Sequence, residues 1–312
     1  MKIAGVTVCF NESKMVKYVM PYWERIGIDK LIVYDNMSTD NTVELLKQYP
    51  FVEVRTFDTG GKFNDPMNSK LKKDTAQELR DAGYDWIYHG DFDEVIYCPN
   101  PNFREELQKI EDLGGSIFCR DLVHPFTPVY TDIEFDPTKL IHEQRSHFVT
   151  WYDWTGKWGG SKVLMHSSKK IHKITFSDGC HNSSFDQKGN EPVVFGYPFI
   201  AFHLKFVDFP VLEKNSHAKN ERILYRLDSP TCSDVNANYI KSLYRRTIGD
   251  DKIIEIIDKL QRRCEKANTT NWKDFITRYD SDMYIVNNNK LAKCPNVSRL
   301  DYKHIDKNIF YR

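Results

Sequence analysis

The chain has 312 residues, of which 40% are hydrophobic and 13% aromatic, and its 44 basic residues balance its 44 acidic ones. This length predicts one large domain or two modest ones, each with enough apolar content for a hydrophobic core. Proteins that bind nucleic acid as a polymer generally carry a basic excess. The balanced charge therefore argues against that partner, although a nucleotide stays open as a small ligand.

The termini and the cysteines bear on localisation. Residues 1–13, "MKIAGVTVCFNES", contain a short apolar run that Gly5 and Thr7 interrupt, which predicts a first strand and not a signal peptide. No stretch approaches the ~20 apolar residues of a membrane helix. The seven cysteines are widely spaced without a CxxC pair, which favours reduced thiols in the core. We expect a soluble, cytoplasmic protein, with peripheral contact to an anionic membrane through the basic tail as the alternative.

Apolar runs and helical patterns alternate along the first 90 residues. The predicted strands are 2–10, 29–36, 51–57 and 84–90, and the predicted helices between them are 14–27, 38–50 and 68–83. Strand, helix, strand in regular alternation is typical of a parallel sheet with crossover helices. We therefore expect an α/β fold of Rossmann-like type.

The pattern is less regular after residue 97. Segments 116–124 and 197–206 read as further strands, and from Leu212 onward the chain reads mainly as helices. We expect two domains: an α/β catalytic domain over residues 1–210 and a mainly helical C-terminal extension over 211–312.

Acidic and amide residues follow three of the predicted strands. They are Asn11–Glu12, Asp35–Asn36 and the acids Asp91, Asp93 and Glu94. In parallel sheets ligands collect at the carboxyl ends of the strands. Two carboxylates at i and i+2 could hold Mg²⁺ or Mn²⁺, since hard cations prefer oxygen ligands. The alternative is a solvated acidic turn between two apolar runs.

Four segments carry a family resemblance. They are "VTVCFNES" (6–13), "GIDKLIVYDNMSTDNTVELL" (27–46), "YDWIYHGDFDEVIY" (84–97) and, more weakly, "AFHLKFVDFPVLEKNSHAK" (201–219). In this order and spacing the chain resembles the nucleotide-sugar glycosyltransferases of the GT-A fold, in particular their family-2-like branch, over roughly residues 3–220. Phe206 departs from the motif, which has Ser at that position.

The resemblance implies roles for single residues. Asn11 and Glu12 would lie in the first loop that meets the nucleotide, and Asp35, with Asn36, would contact its base or ribose. Asp93 would bind the metal most directly, with Asp91 as the second carboxylate, closer to the ribose. His203 would complete the metal shell, and Lys205 would lie beside the diphosphate. Glu94 would support the loop without binding the ion. Lys205 is placed by its position two residues after His203, on the same face of a predicted strand.

The implied activity is transfer of a sugar, of hexosyltransferase type. The donor would be a UDP-sugar, and the acceptor would be a glycan, a lipid-linked sugar or a protein hydroxyl. The cofactor would be Mn²⁺ or Mg²⁺, and transfer would invert the configuration at the sugar. Inversion needs a carboxylate base for the acceptor hydroxyl. The candidates are Asp121, Glu143, Asp153, Asp178 and Asp186. We favour Asp178 because Gly179 and His181 stand beside it.

Two other functions compete. "DFDEV" also fits the D-x-D-x-V signature of aspartyl-phosphate phosphatases, in which Asp91 would be the nucleophile. That motif normally follows the first strand, whereas three strands precede it here, and Ile254 stands where a late Asp is expected. The other is a catalytically inactive sugar-binding module on the same fold.

Overall fold

The computed structural model describes residues 1–60, 64–126, 135–145, 147–150, 161–176, 183–187, 193–196, 198–207 and 303–304. Asp178 and nearly all of the segment 211–312 lie outside these residues, so the predicted base and the predicted helical extension stay predictions. Within the described part of the chain, no helix combines the length and the apolar character needed to cross a membrane.

The first four strands form the parallel sheet that the sequence predicts. They are β1 (Ile3–Cys9), β2 (Lys30–Asp35), β3 (Val52–Thr56) and β4 (Trp86–Tyr88). They lie in the order β4-β1-β2-β3, and every neighbouring pair is parallel. Their carboxyl ends therefore meet at one edge of the sheet, where the acidic and amide clusters begin.

Four helices accompany these strands. They are α1 (Ser13–Ile26), α2 (Thr42–Leu46), α3 (Asp65–Asp81) and α4 (Phe103–Asp112). Helix α1 runs through Pro21 and ends at Gly27, whose φ of 64° is the left-handed conformation that glycine adopts without cost. Helix α2 is shorter than the predicted 38–50, because residues 38–40 form hydrogen bonds with Asn11 and Ser13 instead of a helical turn.

The second part of the sheet is mixed. It contains β5 (Glu94–Tyr97), β6 (Gly115–Phe126), β7 (His147–Thr150), β8 (Ser161–Ser167), β11 (Val193–Phe195), β12 (Ile200–His203) and β13 (Lys303–His304). Strand β8 lies antiparallel between β4 and β6, which joins both parts into one sheet of eleven described strands. Strands β9 (Ile171–Phe176) and β10 (Ser183–Gln187) pair separately. The predicted α/β class is confirmed.

Helices cover both faces of the sheet. The larger core cluster contains side chains of α1 and α4, such as Trp23 and Leu107, against the sheet. The smaller cluster contains Ala76 and Leu79 of α3, packed with residues of β1, β4, β8 and β9. Because α3 passes beneath the end of β4 on this second face, its inward side chains can reach the acidic loop.

Two expectations from the sequence are wrong. Strand β12 ends at His203 and Leu204–Phe206 form a 3₁₀ turn, so Lys205 does not share a strand face with His203. The chain turns there because Leu204 N–H donates to the carbonyl of Asp93 at 2.8 Å. Cys119 is disulfide-bonded, with a partner outside the described residues, whereas Cys9 and Cys98 are free and buried. Wide spacing along the chain does not prevent two cysteines from meeting in space.

Candidate active site

The loops that follow β1 and β2 are tied together by Asn11. Its backbone adopts a left-handed φ of 53°, a conformation that asparagine tolerates better than most residues. Its backbone N–H donates to Oγ of Ser38 at 2.8 Å, and its side-chain Oδ1 accepts from the N–H of Thr39 at 2.7 Å. Asn11, which is predicted to meet a nucleotide, thus also fixes the conformation of the loop after β2.

Asp40 makes a second tie between these loops. Its Oδ2 accepts from Oγ of Ser13 at 2.7 Å, and its Oδ1 accepts from the first backbone N–H of α2, that of Thr42, at 3.1 Å. Burial raises the pKa of Asp40, but the hydrogen bonds from Ser13 and Thr42 outweigh it and the pKa is lowered. An ionised carboxylate therefore joins the starts of α1 and α2.

Asp35 and Asn36 are buried at the end of β2. Asp35 accepts from the N–H of Ser38 at 3.0 Å, and Asn36 exchanges hydrogen bonds with Thr59, its Nδ2 donating at 3.0 Å. Glu12 begins α1 by accepting from the N–H of Met15 with its carbonyl. The structure thus brings Asn11, Glu12, Asp35 and Asn36 to one edge, and their contacts with a nucleotide stay predictions.

The acidic loop leaves β4 through Gly90. A Cβ at this position would overlap the phenol of Tyr88 and a methyl group of Leu164, so only glycine fits without movement. The Tyr88 hydroxyl lies 2.6 Å from the carbonyl oxygen of Glu94 and 3.0 Å from that of Asp91. Tyr88 thereby closes the turn that carries the three acids.

Asp91 is held by two lysines that the sequence did not indicate. Lys72 Nζ of α3 lies 2.8 Å from Oδ1, and Lys162 Nζ of β8 lies 2.6 Å from Oδ2. Lys162 also lies 2.8 Å from Oε1 of Glu94, whose Oε2 accepts from the backbone N–H of Asp91 at 2.9 Å. We call these four residues the Asp91 ion-pair network.

The network combines buried cations with a partly exposed acceptor. The side chains of Lys72, Lys162 and Glu94 are 2%, 1% and 1% exposed, whereas that of Asp91 is 46% exposed. Burial raises the pKa of Asp91, yet the two ammonium groups lower it well below its usual value. Burial also lowers the pKa of Lys162, which Asp91 and Glu94 reverse to a net rise. Asp91 and Lys162 are thus both charged near neutrality.

Glu94 is the deeply buried member of this network. Burial raises its pKa, and the neighbouring ammonium of Lys162 opposes that rise. With one oxygen on Lys162 and the other on the backbone of Asp91, Glu94 supports the loop, and its side chain is only 1% exposed. This is the supporting role expected for it.

Asp93 and His203 are the other acid–base pair of the site. Asp93 directly precedes β5, and His203 ends β12. These strands are antiparallel with Glu94 opposite His203, which places His203 Nε2 3.1 Å from Oδ2 of Asp93. The two side chains are 23% and 19% exposed. Burial raises the pKa of Asp93, but the charge of His203 and its hydrogen bond lower it to about 2.

The spacing of this pair suits one divalent cation. Adjacent ligands of an octahedral ion with bonds of about 2.1 Å stand about 3.0 Å apart, close to the observed 3.1 Å between Nε2 and Oδ2. One carboxylate oxygen and one imidazole nitrogen are suitable donors for Mn²⁺. Among the described residues, no cluster of three or more His, Cys, Asp or Glu could hold an ion.

Two further residues flank the pair. The imidazole of buried His124, in β6, packs against that of His203, with 4.9 Å between the ring centroids. Lys205, in the turn after β12, is close enough for its charge to lower the pKa of Asp93. The predicted contact of Lys205 with a diphosphate stays a prediction.

Of the five candidate bases, only Glu143 has a described side chain. Glu143 binds the backbone N–H of Leu140 at 2.9 Å and so caps a short 3₁₀ turn. Asp153 and Asp178 lie outside the described residues, and only the backbones of Asp121 and Asp186 are described. The choice of Asp178 as the base stays a prediction.

Of the two lysines missed from the sequence, only Lys72 left a signal. It lies three residues after Ser69 and three and four before Thr75 and Ala76, all buried, which places it on the inward face of α3. Lys162 left none, because the residues described on both faces of β8 are buried and no alternation distinguishes it.

Comparisons with known proteins give weak structural similarity. No protein-family model and no curated protein matches the chain. S. aureus TarS residues 1–349 is 11% identical, with 79% of this chain and 71% of that chain covered and a TM-score of 0.37, and 43% of a longer TarS chain is covered. Glucosyl-3-phosphoglycerate synthase from Mycobacterium tuberculosis, in complex with Mn²⁺, uridine-diphosphate and phosphoglyceric acid, is 15% identical over 58% of this chain and 61% of that chain, with a TM-score of 0.28. At these TM-scores the similarity carries no weight for function, substrate or metal.

Proposed function

We propose that this protein is a metal-dependent glycosyltransferase that moves a sugar from a nucleotide-sugar donor to a hydroxyl acceptor. The observation that carries the proposal is the pair of Asp93 and His203, 3.1 Å apart at the carboxyl edge of a parallel sheet. Ligands collect at such edges. The pair offers one oxygen and one nitrogen to a cation, and the resemblance of the sequence motifs to those of the GT-A glycosyltransferases supports the proposal.

Each residue of this pair and its surroundings would have a separate role. Asp93 and His203 would hold the cation, which when bound supplies positive charge to a leaving diphosphate. Lys205 would add a further positive charge beside that diphosphate. Asp91, ionised and 46% exposed, would accept hydrogen bonds from hydroxyl groups of the nucleotide-sugar. The loops fixed by Asn11 would hold the nucleotide.

The finer features of the reaction are also part of this proposal. The donor would be a UDP-sugar, the cation Mn²⁺ or Mg²⁺, and the acceptor a glycan, a lipid-linked sugar or a protein hydroxyl. Transfer would proceed with inversion, and Asp178 would take the proton of the acceptor hydroxyl. The resemblance of the motifs supports these features.

Nucleoside diphosphate release from a panel of nucleotide sugars, with and without Mn²⁺, tests the proposal. We expect Mn²⁺-dependent release of UDP by the wild type, together with a rise in melting temperature when UDP and Mn²⁺ bind. Asp93→Ala should abolish the release. Asp74→Ala is the matched control, because Asp74 is an exposed carboxylate on α3 that pairs only with Lys70 among the described salt bridges.

Three outcomes would contradict the proposal. Absence of any stabilising nucleotide or nucleotide sugar across the panel would remove the donor site. Metal-dependent hydrolysis of a phosphomonoester that is lost in Asp91→Asn would favour the phosphatase, in which Asp91 is the nucleophile. Saturable binding of a sugar without turnover would favour the binding module.

A further inference from the structure

The two carboxylates of the acidic loop have different electrostatic surroundings. Both oxygens of Asp91 lie within 2.8 Å of an ammonium nitrogen, one from Lys72 and one from Lys162. The described contact of the Asp93 carboxylate is with His203, a potential metal ligand. Two neighbouring acids that look equivalent in the sequence are therefore not equivalent in the fold.

The orientation of the Asp91 carboxylate is fixed from several sides. Lys72 comes from α3 and Lys162 from β8, and both are almost completely buried, so moving either ammonium away from Asp91 would cost part of the compensation for its burial. Glu94 holds Lys162 and the backbone N–H of Asp91 at once. The carboxylate is still 46% exposed, and each of its oxygens keeps a lone pair for another donor.

A cation on Asp91 would have to compete with these lysines. A divalent ion bonded to either oxygen would lie about 2.1 Å from it, and the nearest ammonium nitrogen lies 2.6 or 2.8 Å from the same oxygen. The two positive charges would then be at most about 5 Å apart, where like charges oppose each other strongly. A neutral hydroxyl donor meets no such repulsion.

We propose that Lys72 and Lys162 are positioning residues that reserve Asp91 for neutral hydrogen-bond donors of the substrate and leave the divalent cation to Asp93 and His203 alone. This rests on the proposed function. The lysines act through Asp91 and do not touch the reacting atoms. Their removal therefore has an unusual consequence: the site should bind Mn²⁺ more tightly while it transfers sugar less well.

Mn²⁺ titration of the purified full-length protein, followed by the EPR signal of free Mn²⁺, tests this without reference to turnover. In Lys72→Met one oxygen of Asp91 is released and one positive charge is lost. A charge within about 4–6 Å commonly changes such an equilibrium tenfold or more, so we expect the Kd for Mn²⁺ to fall about tenfold. The matched control is Lys73→Met, since Lys73 is the adjacent, exposed lysine of the same helix, and its Kd should equal that of the wild type.

A second variant separates capture by Asp91 from other causes. Lys72→Met/Asp91→Asn restores the charge balance of the wild type and removes the carboxylate, so its Kd should return to the wild-type value. Lys72→Arg keeps a positive charge at the position and should also bind Mn²⁺ like the wild type. Damaged folding would weaken binding in Lys72→Met, which is opposite in sign to the expected result.

The outcomes distinguish this inference from the proposed function. Mn²⁺ binding to the wild type that is lost in Asp93→Ala, with no tightening in Lys72→Met, overturns the positioning role alone. Tightening that persists in Lys72→Met/Asp91→Asn overturns it as well. A wild-type protein that binds no Mn²⁺ overturns both proposals.

Discussion

Replacing Lys162 by methionine is the most informative perturbation of the stability of this protein. Methionine keeps much of the lysine volume but removes the ammonium that lies 2.8 Å from Glu94 and 2.6 Å from Asp91. Asp91 is 46% exposed and can be rehydrated, whereas Glu94 is 1% exposed and cannot. The cost therefore falls mainly on Glu94, which is left as a buried carboxylate without its cation.

The expected loss follows from that burial. Breaking a buried ion pair by removing one partner typically costs about 3–5 kcal/mol, and we expect a loss of this size in the free energy of unfolding at pH 8. Without the ammonium, the largest opposition to the rise that burial causes in the pKa of Glu94 is gone. Folded Glu94 then holds a proton that the unfolded chain releases above pH about 4.3, so stability falls as the pH rises, by about 1.4 kcal/mol per pH unit until folded Glu94 ionises.

Urea unfolding at pH 5, 6.5 and 8, followed by tryptophan fluorescence, measures this loss. Lys162→Met should be closest to the wild type at pH 5 and furthest from it at pH 8. Lys162→Met/Glu94→Gln should recover more than half of the loss at pH 8, because the amide oxygen still accepts from the N–H of Asp91. Lys109→Met, at an exposed lysine on α4, should show no measurable change. A loss below about 1 kcal/mol at pH 8, or a loss that does not vary with pH, would refute the assignment of Glu94 as the destabilised group.

Three further predictions concern acid stability and the loops. Burial lowers the pKa values of four imidazoles well below the usual value: His89, His124, His142 and His166. Because only the unfolded chain takes up these protons, urea titrations should show stability falling below pH about 6.5 by up to about 5 kcal/mol per pH unit, and His89→Phe should reduce that slope by about one quarter. Gly90→Ala should cost about 1–3 kcal/mol through overpacking. Gly60→Ala, where a Cβ meets nothing within 4 Å, should cost only the left-handed backbone penalty of about 1 kcal/mol. Equal urea midpoints for the two variants would contradict the clash at Gly90. Asn11→Gly keeps the left-handed backbone and Asn11→Ala does not, so isothermal titration with UDP should show a larger loss of affinity for Asn11→Ala, and equal losses would mean that only the amide matters.

The parts of the fold that the sequence predicted depend on local periodicity. Strands β1 to β4 are short, mainly apolar runs, helix α1 shows a repeat of 3.6 residues, and the parallel order of the strands follows from the alternation of strands and helices along the chain. Strand β8 was not predicted, because its insertion between β4 and β6 depends on contacts with residues far away along the chain. The disulfide bond of Cys119 was not predicted for the same reason.

The candidate site shows the same division. Asp93 and His203 were paired on the basis of motifs, and the fold places them 3.1 Å apart across 110 residues of chain. The Asp91 ion-pair network was not foreseen, since a lysine in a sequence reads as a solvated side chain unless its neighbours reveal a buried face. Lys72 has such neighbours and Lys162 does not.

The position of β8 also has a consequence for biosynthesis. Strand β4 pairs with β1 on one side, and its other side is covered only when β8 arrives. Roughly 70 residues separate Tyr88 from Ser161, so at a synthesis rate of 5–20 residues per second the edge of β4 stays open for roughly 4–14 s on the ribosome. Unpaired strand edges invite association with other chains, so this interval is where aggregation should compete with folding. The same strand brings Lys162, so the edge of the sheet is closed and the charges of Asp91 and Glu94 are compensated in a single step of folding.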